Sequence, residues 1–156
     1  MKTTFALGAF AALCQVAYSL ESGTYQIVSA MQLSPPPPPI GLNDDGPKRS
    51  LVLGGTTSRW TFIKALGKEN VFTISQNGIA VQCDRETCYV GSPPTPEQHT
   101  FWVQEQNDDT YTIELPFRIQ PYFAWTISGT APGSKVELRF LEQPTPEQKF
   151  RLIPQE

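Results

Sequence analysis

From about residue 20 onward, hydrophobic and polar residues alternate along this chain in short runs. No long stretch carries apolar residues at i, i+3, i+4 and i+7. Gly, Pro, Asn and Asp split the runs, and the 15 prolines punctuate turns and forbid helix interiors. The pattern predicts an all-β protein.

One strand pattern recurs three times, as Gly23-Thr-Tyr-Gln-Ile27, Asn70-Val-Phe-Thr-Ile74 and Asp109-Thr-Tyr-Thr-Ile113. An aromatic residue and an Ile two positions apart share one face of a strand. A second pattern ends each unit, as Arg59-Trp-Thr-Phe-Ile63, Thr100-Phe-Trp-Val-Gln104 and Lys149-Phe-Arg-Leu-Ile153. The turn before the last two is duplicated, as Pro94-Thr-Pro-Glu-Gln98 and Pro144-Thr-Pro-Glu-Gln148. In the middle copy both Phe101/Val103 and Thr100/Trp102 fit the inward positions, so its register stays open.

Each unit holds four strand candidates: 24–30, 40–43, 49–54 and 59–64; then 70–76, 78–84, 87–91 and 100–105; then 109–115, 122–128, 135–141 and 149–153. Twelve short strands in three pseudo-repeats predict a single-domain β-trefoil, whose closure removes the free sheet edges. Alternation makes Tyr25, Ile27, Leu51, Leu53, Trp60, Phe62, Phe72, Ile74, Tyr111, Ile113, Val136, Leu138, Phe140, Phe150 and Leu152 the expected core.

The first nineteen residues follow a different pattern. Lys2 precedes an apolar stretch from Phe5 to Ala17, and the small residues Ala17 and Ser19 stand where a signal peptidase reads. Residues 1–19 are therefore expected to be a secretory signal and 20–156 the trefoil domain of an extracellular protein. The stretch is short for a membrane span. Removing it takes away Cys14 and leaves Cys83 and Cys88. Their spacing suits two strands facing across a hairpin turn, and in an oxidising compartment they are expected to form a disulfide. With a single His and no second cysteine pair, metal binding is the weaker reading.

Composition narrows function by exclusion. The net charge is −3 and no basic stripe with interleaved aromatics occurs, so nucleic acid is not an expected partner. One His cannot complete a convincing set of nucleophile, base and orienting group, so no catalytic residues, cofactor or metal are expected. Function is then sought in loops grafted onto the frame. The least repeat-like stretch runs from Ser34 through five consecutive prolines to Arg49. A stiff, extended segment on a closed barrel loses little ordering entropy on binding, which suits insertion into a protease cleft. It also suits a decorated surface loop or a proline-motif ligand.

Leu20-Glu-Ser-Gly-Thr-Tyr-Gln-Ile27, Pro47-Lys-Arg-Ser-Leu-Val-Leu53, Trp60-Thr-Phe-Ile63 and Gln148-Lys-Phe-Arg-Leu-Ile153 resemble the fungal β-trefoil serine-protease inhibitors of the cospin-like family. The resemblance implies inhibition through the loop between the second and third strands, where a basic residue enters the protease specificity pocket. The corresponding stretch is Ile40-Gly-Leu-Asn43, with Leu42 in place of the basic residue and Asn43 after it. Leu42 would favour proteases with an apolar pocket. Lys48 and Arg49 supply basic side chains close by, although the Arg49–Ser50 bond falls where a strand begins. Related fungal trefoils imply a legumain-directed Asn in another loop, here Asn77, although Asn77-Gly78 is also a favoured hairpin turn. The expectation is a monomer whose partner is a serine endopeptidase, with no membrane and no cofactor. The alternatives are a cysteine-protease or legumain inhibitor acting through Asn77, or a sugar-binding trefoil. For the last, Gln148-Lys-Phe150 only weakly echoes the Gln-x-Trp of lectin trefoils.

Overall fold

The computed structural model describes residues 19–44, 46–84, 87–91, 100–116 and 122–156. Apart from Ser19, the expected leader lies outside the described residues, as does the first copy of the duplicated turn. The described chain forms twelve strands. They are β1 (Gly23–Ser29), β2 (Ile40–Leu42), β3 (Arg49–Leu53), β4 (Arg59–Lys64), β5 (Val71–Gln76), β6 (Ile79–Cys83), β7 (Cys88–Val90), β8 (Phe101–Glu105), β9 (Tyr111–Glu114), β10 (Phe123–Ile127), β11 (Val136–Phe140) and β12 (Phe150–Pro154). Before β12 lies one turn of 3₁₀ helix, Pro146–Gln148. No described helix is long and apolar enough to cross a membrane.

Six strands close a barrel in the order β1, β4, β5, β8, β9, β12 and back to β1, every neighbouring pair antiparallel. The other six form three hairpins, β2–β3, β6–β7 and β10–β11. The hairpins touch one another: β3 pairs with β7 through Arg49–Val90 and Ser50–Tyr89, and Val52 bridges to Lys135 beside β11. This is a β-trefoil.

The repeats share one strand register, with Tyr25 opposite Trp60, Phe72 opposite Phe101 and Tyr111 opposite Phe150. On the barrel strands Tyr25/Ile27, Phe72/Ile74 and Tyr111/Ile113 correspond, as do Trp60/Phe62, Phe101/Val103 and Phe150/Leu152. The open register of the middle repeat is settled, because Phe101 and Val103 are buried while Trp102 is half-buried and lies 6.4 Å from the Tyr122 ring. Strands β5 and β9 begin one and two residues later than the alternation predicts. Asn70 (φ 57°) and Asp109 (φ 57°) take left-handed turn conformations, which Asn and Asp tolerate better than most residues.

Trp60, Phe62, Phe72, Phe101, Trp125 and Phe150 are fully buried, and several pack edge to face, such as Tyr25 on Phe62 at 5.2 Å and Phe101 on Trp125 at 5.2 Å. Two corrections to the expected core follow. Phe140 is 54% exposed, because it stands at the outer end of β11, where inward alternation has run past the core. Tyr111, Leu138 and Leu152 are only partly buried and pack against the core's edge. The hairpins also contribute core residues that the repeat pattern did not single out, including Ile40, Leu42, Val81, Val90, Trp125 and Ile127.

Candidate functional site

The three hairpins share one design at their connected ends. Their last inward pairs are Leu42–Leu51, Cys83–Cys88 and Ile127–Val136, and all six side chains are 0 or 1% exposed. In the middle hairpin that pair is a disulfide. Beyond each pair one backbone bond closes the connection: Asn43 N–H to Ser50 C=O (3.0 Å), Asp84 N–H to Thr87 C=O (3.0 Å) and Ser128 N–H to Lys135 C=O (2.9 Å). Whatever these hairpins present to a partner must lie outside those bonds.

That rule relocates the expected reactive residue. Leu42 is fully buried in the core, opposite Leu51. Its N–H donates to the Thr56 carbonyl at 2.7 Å, and its carbonyl accepts from Thr56 N–H at 2.9 Å and Thr56 Oγ1 at 3.1 Å. A side chain held in this way cannot enter a protease pocket. Leu42 is a core residue, equivalent in space to Cys83 and Ile127.

Asn43 lies at the loop's base. Its side-chain Oδ1 accepts from Ser50 N–H at 2.7 Å, beside the backbone bond in the other direction, so the two ends of loop 43–50 are pinned twice. An Asn here satisfies a strand-end N–H that would otherwise go unpaired. Asp44, Gly46, Pro47 and Lys48 are exposed, and Asp45 lies outside the described residues. Arg49 opens β3 and pairs with Val90, which holds its backbone in the ladder with its side chain half-buried.

Lys48 projects from this loop towards the neighbouring hairpin. Its Nζ lies 2.7 Å from Asp84 Oδ2 and 4.0 Å from the centre of the Tyr89 ring, a salt bridge combined with a cation–π contact. Asp84 is itself fixed, its Oδ1 accepting from Thr87 N–H at 2.8 Å, within the short turn that the disulfide staples. A Cβ on Gly91 would stand 3.1 Å from the Pro47 carbonyl oxygen, so the loop and the strand end lie close together. Loop 43–50 thus leans on the disulfide hairpin through Lys48, Asp84 and Tyr89. Asp84 and Tyr89 escaped the reading of the sequence. One signal was available, since Asp84 follows Cys83 as Asn43 follows Leu42.

Asn77 belongs to a different hairpin. It is exposed, and with Gly78 it makes the two-residue turn between β5 and β6, at φ 49° and 78°. Positive φ at both central residues is the turn that matches strand twist.

No family model matches the chain, and no curated protein matches it. Solved structures do. A proteinase inhibitor from Coprinopsis cinerea is 13% identical with a TM-score of 0.70, covering 88% of this chain and 100% of that one. A ricin B-like lectin from Macrolepiota procera, in complex with lactose, is 19% identical with a TM-score of 0.64, covering 87% and 98%. A designed threefold symmetric protein, ThreeFoil, is 13% identical with a TM-score of 0.68, covering 85% and 99%. At these identities the likeness establishes the β-trefoil fold and leaves activity to the residues.

Proposed function

We propose that this protein inhibits a serine endopeptidase by presenting loop 43–50 in a fixed conformation, with Lys48 as the residue offered to the specificity pocket. The observation that carries the proposal is the double pinning of the loop at Asn43 and Ser50 beneath the exposed residues Asp44, Gly46, Pro47 and Lys48. A loop ordered before binding loses less entropy on association, and its ends stay together if its peptide is cut. Lys48 is the exposed basic side chain on that loop, its surface ion pair with Asp84 contributing only about 0–1 kcal/mol. It can therefore exchange the Asp84 carboxylate for the acid on the floor of a trypsin-like pocket. Arg49 serves this role less well, because its backbone is already in the β3–β7 ladder.

A panel of trypsin, chymotrypsin, subtilisin, papain and legumain tests this reading. Trypsin-like enzymes should be inhibited, and Lys48→Ala should weaken inhibition by roughly a hundredfold, a loss typical of a pocket-filling hot spot. Lys48→Phe should move preference towards chymotrypsin. If Lys48→Ala inhibits as the unaltered protein does, loop 43–50 is not the reactive segment. Inhibition of legumain that Asn77→Ala abolishes would replace this reading with the exposed β5–β6 turn.

A further inference from the structure

The third repeat carries a feature for which the loop of the first has no use. An open cleft of about 820 Å³ lies between the β10–β11 hairpin and the turn that leads into β12. Its floor is built from groups that satisfy one another. Gln148 is 3% exposed. Its Nε2 donates to Thr126 Oγ1 at 3.2 Å and to the Phe140 carbonyl at 3.1 Å, and its Oε1 accepts from Thr145 N–H at 3.3 Å. Thr126 Oγ1 in turn donates to the Ala124 carbonyl at 3.1 Å. A floor bound in this way holds the rim in place without being remodelled by a ligand.

The rim is mixed. Phe140 contributes an aromatic ring that is 54% exposed, and Glu142, Gln143 and Thr130 are exposed polar neighbours. Arg139 also lines the cleft, with Nε and Nη2 both donating to Glu137 Oε2, at 3.1 and 2.8 Å. The first repeat lacks this arrangement. The first repeat has Gly55 two residues beyond Leu53, where the third has Phe140 two residues beyond Leu138. There the backbones close up, so that a Cβ on Gly41 would stand 2.4 Å from the Gly55 carbonyl oxygen. The same end of the hairpin is shut in one repeat and open, with an aromatic, in the other.

The chemistry of the rim selects among ligands. An aromatic face carries negative quadrupole density and attracts the weakly positive C–H bonds of an aliphatic ring face. The surrounding carboxylate, amide, guanidinium and hydroxyl groups accept and donate hydrogen bonds at the ring's edge. A small anion is disfavoured, because Glu142 and Glu147 line the cleft while the Arg139 charge is already met by Glu137. A wholly apolar ligand needs more enclosure than this open site gives. A ring with one C–H face and hydroxyls around its edge satisfies every wall. We propose that the cleft binds a neutral hexopyranose, stacked on Phe140, with Glu142, Gln143 and Arg139 taking its hydroxyls. The site is separate from loop 43–50, and the proposal does not depend on protease inhibition.

Titration of the ¹⁵N-labelled protein with methyl galactoside, methyl glucoside, methyl mannoside and N-acetylglucosamine tests it. At least one sugar should shift resonances of residues 126–130 and 139–148, with a Kd of about 1 mM, the scale for a small polar ligand in an open site. Phe140→Ala should weaken that binding roughly tenfold, and Phe140→Trp should retain it. Because Phe140 lies outside the core, its variants should melt with the parent, and Glu142→Ala supplies a second, purely surface change that should also weaken binding. Neither variant should alter protease inhibition. No shift with any of the four sugars at about a hundred times that concentration scale would overturn the proposal. Binding that both variants leave intact would do the same, as would binding of only sulfated or sialylated sugars.

Discussion

The first and third repeats occupy the same frame and differ in what they add to it. Both hairpins end on a buried aliphatic pair, Leu42–Leu51 and Ile127–Val136, and both connections, 43–50 and 128–135, are closed by a backbone bond at their base. Beyond that point they part. Loop 43–50 is held by side chains, by Asn43 to its own far end and by Lys48 to Asp84 on the next hairpin. Loop 128–135 is held by backbone bonds instead, with Gly133 N–H donating to the Leu53 carbonyl at 2.7 Å, Leu53 N–H donating to the Ser134 carbonyl at 2.8 Å, and Ser134 bonding through both its N–H and its hydroxyl to the Ala131 carbonyl. The barrel strands differ as well: Val28 follows Ile27 where Glu114 follows Ile113, and both are buried. Positions that match across repeats build the core, and the differing positions carry the proposed partner sites and the pH dependence.

Leu42 is the sharpest case. If the match with Ile127 and Cys83 governs, Leu42→Asp places a carboxylate among apolar side chains with no partner, at a cost of several kcal/mol. That is a large part of a small domain's stability, so the variant should fail to fold. Leu42→Ala should fold with a loss of about 2–5 kcal/mol in urea denaturation, and Ile127→Ala should lose a similar amount. A Leu42→Asp protein with the parent's melting temperature would show that this side chain reaches solvent and that the two hairpins are not equivalent.

The middle hairpin supplies a graded version of the same comparison. The disulfide occupies the site that aliphatic pairs fill in its neighbours. Replacing it with a pair of the same character, Cys83→Val with Cys88→Val, should remove only the chain constraint of a very short loop, about 2 kcal/mol. The variant should remain folded, with the loss seen as a lower urea midpoint at an unchanged slope. A collapse of the fold would mean that the disulfide orders more than its own turn.

Much of this frame was legible in the sequence because it is periodic. The aromatic–Ile signature and the Trp/Phe strands mark the barrel, and the duplicated Pro-Thr-Pro-Glu-Gln turn marks the repeat length. The hairpin residues were harder to read. Ile40-Gly-Leu42 is a strand of three residues, too short for alternation to show which face is buried. Its burial rests on Thr56 and Leu51, fourteen and nine residues away, and nothing local signals either. The clamp was invisible for the same reason, since Lys48 and Asp84 meet only after two hairpins have packed side by side.

Glu114 extends the comparison to pH. Its carboxyl is desolvated by burial, which raises its pKa above the ordinary glutamate value, and the Thr112 hydroxyl bonding to Oε1 at 2.6 Å only partly offsets this. The folded state therefore binds this proton more tightly than the unfolded chain. The stability it contributes is complete below the unfolded pKa and declines as pH rises through the interval up to the raised folded value. Val28, its counterpart in the first repeat, has no such dependence. Glu114→Gln should be more stable than the parent at neutral pH, and the difference should shrink towards zero as the pH falls below about 4. Denaturation midpoints across that range measure it. A difference that does not change with pH would show that Glu114 is not desolvated.

The smallest effect on stability is expected at the contact that most separates the two loops. Lys48 and Asp84 are both substantially exposed, with side-chain exposures of 53% and 43%, so solvent and salt screen their attraction. Asp84→Asn should change the unfolding free energy by no more than about 1 kcal/mol, and added salt should reduce the parent's stability towards the variant's. The change should be felt instead in the loop. With the ion pair gone, the loop keeps its base at Asn43 and Ser50, the Asp44–Thr56 bond and the Lys48–Tyr89 contact, but Lys48 is held less firmly and samples more conformations before a partner arrives. Because Lys48 leaves Asp84 on entering a trypsin-like pocket, the variant should inhibit slightly more tightly than the parent, by no more than about 1 kcal/mol, while the melting temperature barely moves. Prolonged incubation should also cut the variant's loop faster than the parent's, seen as new fragments by mass spectrometry. Ser134→Ala in the third repeat is the matched control, because it removes a hydroxyl bond from a loop with no proposed role in inhibition and should leave inhibition unchanged. If Asp84→Asn and Ser134→Ala behave alike towards the protease, the clamp between the hairpins is packing, and the distinction drawn between the two loops fails.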